Sequence, residues 1–242
     1  MIPVWRLARV FLHVLRALLI VGLRFPQLRP AERHAHVGAW SRRLLELLGV
    51  RLEAVGQGRP GAKLLIANHV SWLDIAAMHA VLPEARFVSK GDVKRWPVVG
   101  WLVTGVGTLF IERASKRDAL RVVHRTAEAL ESGDTVAVFP EGTTGAGPEL
   151  LPFHANLLQA AVATALPIQP VMLRWHEPGE RFSSAARFIG DTTLTQSLWR
   201  IASARGLAVR VQVLPAVETA HADRRLLAEH LREQLAEALA AD

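Results

Sequence analysis

From Ile2 to Arg24 the chain is apolar except for basic residues that keep returning at helical spacing. At 100° per residue, Arg6, Arg9, His13, Arg16 and Arg24 fall in one narrow sector of a helix. Trp5, Phe11, Leu12, Leu15, Leu18 and Leu19 lie outside that sector, and Ile20 lies inside it. A basic stripe opposite an apolar face is the pattern of a helix lying in a lipid interface. A spanning helix needs about 20 largely uncharged residues. Here only Ala17–Leu23 is uninterrupted, so a single span with snorkelling arginines is the second reading. No small-residue cleavage site follows, which fits a secretory signal poorly. Pro26 and Pro30 stop the helix, and a second amphipathic stretch runs from Ala31 to Leu48 with Val37, Trp40, Leu44, Leu45, Leu47 and Leu48 on its apolar side. The pattern predicts an N-terminal pair of membrane-contacting helices over residues 1–49, with an ordinary hairpin packed on the core as the plainer reading.

After Gly49 the period changes. Short apolar, β-prone runs at Arg51–Val55, Lys63–Ala67, Arg86–Ser89, Thr108–Ile111, Thr135–Phe139, Ile168–Met172, Arg187–Ile189 and Leu207–Val213 read as strands. Helical patterns lie between them at Trp72–Val81, Trp96–Thr104, Lys116–Glu131, Phe153–Ala165 and Thr195–Ser203, with a terminal amphipathic helix at Asp223–Ala240. Strands alternating with helices predict an α/β domain over residues 50–242, its mostly parallel or mixed sheet flanked by helices on both faces.

Composition narrows the chemistry. The 242 residues carry 29 Lys+Arg against 22 Asp+Glu, a formal charge of +7, which favours anionic partners such as a phospholipid surface, nucleic acid or an acidic carrier protein. Lysine occurs only at 63, 90, 94 and 116. There is no cysteine, so disulfides, thiolate nucleophiles and cysteine-based zinc sites are excluded. His34 and His36 are the only close histidine pair and have no accompanying carboxylate cluster, so no metal site is expected. Nucleic-acid binding is not expected either. The cations concentrate on the N-terminal helices, and no recognition motif is present.

Four short elements bear chemistry. The first strand-to-helix junction after the GQGRPG turn reads Asn68-His-Val-Ser-Trp-Leu-Asp74. Ser71 and Asp74 have capping-box spacing, so one reading of Asp74 is a helix cap alone. The other places the His69 ring back over the first turn, where Asp74 reaches one ring nitrogen and leaves the second as a general base. That is the base and orienting acid of a serine triad, with the nucleophile supplied by substrate. Phe139-Pro-Glu-Gly-Thr-Thr144 makes a tight strand end whose backbone N–H groups could face an oxyanion or phosphate. Gly107-Thr-Leu-Phe-Ile-Glu-Arg113 and Ser89-Lys90 each deliver a cation at a strand end, where α/β sheets collect ligands. No Gly-x-Ser-x-Gly elbow is present, so a covalent nucleophile has no candidate.

In this order the elements resemble the glycerolipid acyltransferase family that includes 1-acylglycerol-3-phosphate acyltransferases, whose pattern is N-H-x4-D, G-x-x-F-I-x-R, F-P-E-G-T and a late V-P-x-x-P-V-like box. The last is matched by Leu166-Pro-Ile-Gln-Pro-Val171, and the resemblance spans roughly residues 50–215. It implies His69 as general base and Asp74 as its partner. It implies Glu141, Gly142 and Thr143 at the acceptor site, with Arg113 and Lys90 facing the acceptor headgroup. It further implies an acyl-CoA or acyl-carrier-protein donor, a lysophospholipid acceptor, an anionic membrane surface at the cytosolic face of the inner membrane, and no cofactor or metal. The expected reaction turns 1-acyl-sn-glycerol-3-phosphate into phosphatidic acid. Two departures bear on the acceptor. Thr144 and Gly145 stand where many members have Arg and Ser, and Phe153-His-Ala-Asn156 stands where many have F-K-x-G. Both lose a cation, which makes O-acylation of the zwitterionic lyso-ornithine lipid the alternative. A non-catalytic membrane-binding scaffold is the alternative from a different class.

Overall fold

The structure is a computed structural model that describes residues 2–111 and 116–241. Among them, seven strands form one sheet: β1 (Arg51–Val55), β2 (Lys63–Ala67), β3 (Ala85–Lys90), β4 (Leu109–Ile111), β5 (Thr135–Val138), β6 (Ile168–His176) and β7 (Ala208–Val213). Their order across the sheet is β1-β7-β6-β2-β5-β3-β4. Neighbours are parallel throughout except β6 and β7, so the sheet is mixed. β2 lies at the centre between β5 and β6, and all five of its residues are buried. Alternation along β2 divides the interior. Leu65 and Ala67 join one core with helices α2 (Pro30–Leu48), α3 (Asp74–Val81) and α8 (Leu194–Ser203). Leu64 and Ile66 join the other, with α6 (Lys116–Glu131), α7 (Gln159–Thr164) and α9 (Arg224–Ala240). Thr193 and Asp223 cap α8 and α9, each accepting backbone N–H bonds in the first turn.

Several elements differ from the sequence expectation. β6 runs on to His176, four residues past the predicted end, because its second half pairs with β7. Arg187–Ile189 is not a strand; Phe188 makes a single ladder-like bond, its N–H donating to the Val70 carbonyl at 3.0 Å. Ala155–Leu158 is a 3-10 turn ahead of α7, where one longer helix was expected. The segment around Trp96 divides into α4 (Gly91–Lys94) and α5 (Val99–Gly105). Pro97 forces that break, since it cannot donate in a helix interior.

The N-terminal helix α1 (Ile2–Leu23) has three faces rather than two. Leu7, Val10, Val14 and Ala17 pack inward. The basic sector docks at their edge. Arg6 donates to the Ala202 and Ala204 carbonyls at the end of α8, at 2.9 and 3.0 Å, and His13 stacks on Trp40 of α2. Ile20 is half-buried at the border of this side, where Arg16 and Arg24 are exposed. The remaining band is bare: Trp5 is 66% and Phe11 63% exposed, and Leu12, Leu15, Leu19 and Leu23 are exposed with them. Trp96, Val98 and Trp101 add to the uncovered apolar surface, and the Trp101 ring abuts Gly22 of α1. An apolar patch of this extent marks a protein or membrane contact rather than ordinary surface. No described helix is long and apolar enough to cross a membrane.

α3 carries a buried histidine with no part in the chemistry below. His79 is 7% exposed, sits edge-on to Phe87, and its Nε2–H donates to the Ala85 carbonyl at 3.0 Å. Burial pushes its pKa down from 6.5 to about 4, against the pull of the Ala85 carbonyl. The unfolded chain therefore takes up a proton that the folded one refuses, and stability present above the unfolded pKa is lost as pH falls from 6.5 toward 4. The loss expected from this residue is about 3 kcal/mol. Urea unfolding of the wild type and His79→Gln should show it. The wild type should lose more stability between neutral and acid pH, and equal pH dependence of the two proteins would rule the effect out.

Candidate active site

The central strand β2 ends at Ala67, and the chain leaves it through Asn68. The Asn68 side chain imitates a further strand residue: Nδ2 donates to the Leu173 carbonyl and Oδ1 accepts the Leu173 N–H, both at 2.8 Å. This double bond ties the loop to β6 and sets where the next residue stands. His69 follows, with its ring face against Phe139 at 3.8 Å between centroids and 10° between planes. Its Nδ1 lies 2.9 Å from Asp74 Oδ2. A carboxylate only accepts, so Nδ1 carries the hydrogen and Nε2 is the basic nitrogen of the neutral ring. Among the described residues Nε2 has no hydrogen-bond partner, and the side chain retains 17% exposure.

Asp74 is fully buried and surrounded by donors. Besides His69, Oδ2 accepts the N–H groups of Val70 at 2.7 Å and Ser71 at 2.9 Å, while Oδ1 accepts Trp175 Nε1–H at 2.6 Å. Four N–H groups thus take the place of water around one carboxylate. The capping box expected of Ser71 and Asp74 does not form, since α3 starts at Asp74 with Leu73 as its N-cap and no side-chain capping bond. Asp74 still accepts the Ser71 N–H, and it holds the histidine ring. Residues 72 and 73 form a turn and α3 starts at Asp74, two residues later than expected.

The Phe139–Thr144 turn lies alongside, because β5 is the parallel neighbour of β2. The Gly142 N–H donates to the Phe139 carbonyl and closes the turn at a φ of 71°, a left-handed conformation that suits glycine. That amide is therefore engaged in the fold. Thr143 is exposed next along the turn, and Thr144 Oγ1 donates to the Phe188 carbonyl. Glu141, which the resemblance puts at the acceptor site, is buried and binds the backbone. Its Oε1 accepts the His69 N–H at 2.8 Å and its Oε2 the Leu151 N–H at 2.9 Å. Burial raises its pKa, with those two N–H groups pulling the other way. The Gly145 N–H closes the frame on the His69 carbonyl at 2.7 Å. Glu141 thus fastens the histidine loop to the turn.

Lys90 ends β3, on the far side of β5 from β2. Its side chain lies outside what the structure describes, as does the whole of Arg113, beyond the end of β4. Two surface cavities of about 460 and 390 Å³ lie against α9, and neither is lined by His69 or Asp74. Among the described residues no group of three or more His, Asp or Glu could hold a metal. Sequence reasoning missed Trp175, and it placed Asn68 and Phe139 in their boxes without giving either a role.

Residues 52–174 match the family model described as Acyltransferase, just over half of the chain. The chain is 37% identical over 219 residues to the 1-acyl-sn-glycerol-3-phosphate acyltransferase of Neisseria meningitidis serogroup B, covering 88% of this chain and 84% of that one. It belongs to the glycerolipid acyltransferase family. The lyso-ornithine lipid O-acyltransferase of Pseudomonas aeruginosa is 36% identical over 200 residues, covering 83% of this chain and 76% of the relative. The crystal structure of the 1-acyl-sn-glycerophosphate acyltransferase PlsC from Thermotoga maritima superposes with a TM-score of 0.68 over 97% of this chain and 96% of that one. At 19% identity that likeness concerns the fold. The protein is therefore an acyltransferase of this family, and the box from Asn68 to Asp74 falls inside the matched region.

Proposed function

We propose that the enzyme works at a membrane surface and transfers a fatty acyl group from acyl-CoA or acyl-carrier protein to 1-acyl-sn-glycerol-3-phosphate, giving phosphatidic acid. The observation that carries this reading is the His69–Asp74 pair at the end of the central strand, with Nε2 unengaged by any described residue. His69 Nε2 takes the acceptor hydroxyl's proton as that oxygen attacks the thioester carbonyl. The tetrahedral intermediate then expels the thiolate, and the imidazolium returns the proton to sulfur, so no acyl-enzyme forms. With the Gly142 amide used by the turn, the oxyanion falls to the Thr143 N–H, which donates to no described residue. Lys90 and Arg113 supply the headgroup's countercharge in this reading.

The bare apolar band of α1, with Trp96 and Trp101, supports a monotopic seat in one leaflet. Residues 1–49 then act as the membrane-contacting unit and residues 50–242 as the acyltransferase domain. One specific observation favours lyso-ornithine lipid as a second acceptor. Thr144 is directed at the Phe188 carbonyl, and Gly145, whose added Cβ would stand 3.3 Å from Glu141 Oε2, offers no side chain. The turn therefore presents no cation at these two positions.

A single vesicle experiment tests both parts. Purified protein is mixed with anionic vesicles carrying either 1-acyl-sn-glycerol-3-phosphate or lyso-ornithine lipid and supplied with each acyl thioester. Flotation reads binding, thiol release reads turnover, and mass spectrometry reads the product. Flotation with phosphatidic acid as the faster product is expected. Faster acylation of lyso-ornithine lipid would reassign the acceptor, and flotation without thiol release would mean that neither lysolipid is its acceptor.

A further inference from the structure

The His69–Asp74 pair depends on which way the carboxylate faces. The three donors to Oδ2 (His69 Nδ1, Val70 N–H and Ser71 N–H) all belong to the same loop and move with it. The terminal torsion of an aspartate is broad and two-fold, so loop donors alone leave the carboxylate plane weakly defined. Oδ1 is engaged by a group from elsewhere in the fold, the indole N–H of Trp175, 101 positions along the chain on β6. β6 is a rigid reference. It is clamped between β2 and β7, and the Asn68 amide fastens the start of the histidine loop to Leu173 on the same strand. Trp175 itself is 2% exposed, so its ring has no room to follow a wandering acceptor.

We propose that Trp175 is a positioning residue of the acyl-transfer site. Its indole N–H anchors Asp74 Oδ1 to the sheet, and this fixes the plane in which Oδ2 meets His69 Nδ1. An indole suits the task because it donates and cannot accept, so it never competes with the carboxylate for the histidine's hydrogen. The inference rests on the reading of His69 as general base, and it adds a member of the site from outside the four sequence boxes.

The test is Trp175→Phe in the full chain on anionic vesicles, with kcat and KM measured for thioester and lysolipid. The expected result is a kcat lowered about tenfold, as for loss of one hydrogen bond to a charged group, with both KM values little changed. A second readout needs no substrate. In protein labelled with ¹⁵N-histidine, the Nδ1–H resonance of His69, assigned by its loss in His69→Gln, should shift and exchange faster with water in the variant. An unmoved resonance with kcat within twofold of the wild type, whatever the change in melting temperature, would overturn the proposal. Should Trp175→Phe fail to fold, a benzothienyl analogue of tryptophan at position 175 replaces only the N–H by sulfur, and the same two measurements decide. If the wild type itself acylates no lysolipid, the functional reading fails, while the resonance still reports whether Trp175 orders the pair.

Discussion

Replacing His69 by alanine is expected to lower acyl transfer about 10³–10⁴-fold while the protein stays folded. The imidazole is the one described group with a basic atom set at the strand end and no protein partner for it. Its removal takes away the acceptor for the hydroxyl's proton and leaves an alcohol, a poor nucleophile, facing the thioester. The fold should tolerate the change because the residue's structural bonds come from its backbone. Its N–H binds Glu141, its carbonyl accepts from Gly145, and neither depends on the ring. Asp74 would keep three of its four donors. What the ring adds to stability is its stacking on Phe139 and the bond to Asp74, together worth about 2–4 kcal/mol. Thiol release under saturating lysolipid reads the rate, and thermal melting reads the fold. Turnover near the wild-type value in a folded variant would end the general-base reading.

The site was legible in the sequence where its parts are local. His69 and Asp74 are five positions apart, and the geometry of a loop entering a helix is enough to bring them together. Their distant supports were not legible. A tryptophan in an apolar strand reads as core, which Trp175 is, and nothing in its neighbourhood says that its N–H meets a carboxylate 101 residues away. Phe139 likewise reads as the last residue of a buried strand, and only the parallel pairing of β2 with β5 puts its ring on His69. Glu141 came from the resemblance alone, and the residue pattern does not show that tertiary contact turns its carboxylate inward onto two backbone N–H groups.

Periodicity had a similar limit in the fold. It separated the basic sector of α1 from the apolar remainder, but it could not say that Val10 and Val14 would be covered while Phe11 and Leu15 stayed bare. That division is made by α2, α5 and α8, which pack on the helix. Short pieces such as α4 and the 3-10 turn at Ala155–Leu158 span too few residues for any repeat to show. The run at Arg187–Ile189 has the composition of a strand, yet it crosses over the histidine loop and pairs through one bond.

Asp74→Asn should be the next most damaging change, lowering the rate about 10³-fold, because it attacks the tautomer rather than the base itself. The carboxylate presents two accepting oxygens to four N–H groups, and an amide has only one. If the amide oxygen takes the Oδ2 position, the NH₂ group faces the Trp175 N–H, donor against donor. If it takes the Oδ1 position, the NH₂ meets Val70, Ser71 and His69 instead. The histidine then relieves the clash by carrying its hydrogen on Nε2, which removes the basic nitrogen from the substrate side. Either orientation leaves a buried donor unsatisfied, so stability should also fall by about 1–3 kcal/mol. The kinetic effect can be separated from the structural one by a double-mutant cycle. If Asp74 acts through His69, Asp74→Asn should cost little further activity in a His69→Ala background, although it should still lower the melting temperature there. Independent, multiplicative losses of activity in the double variant would mean that Asp74 touches the reaction by a route other than the imidazole.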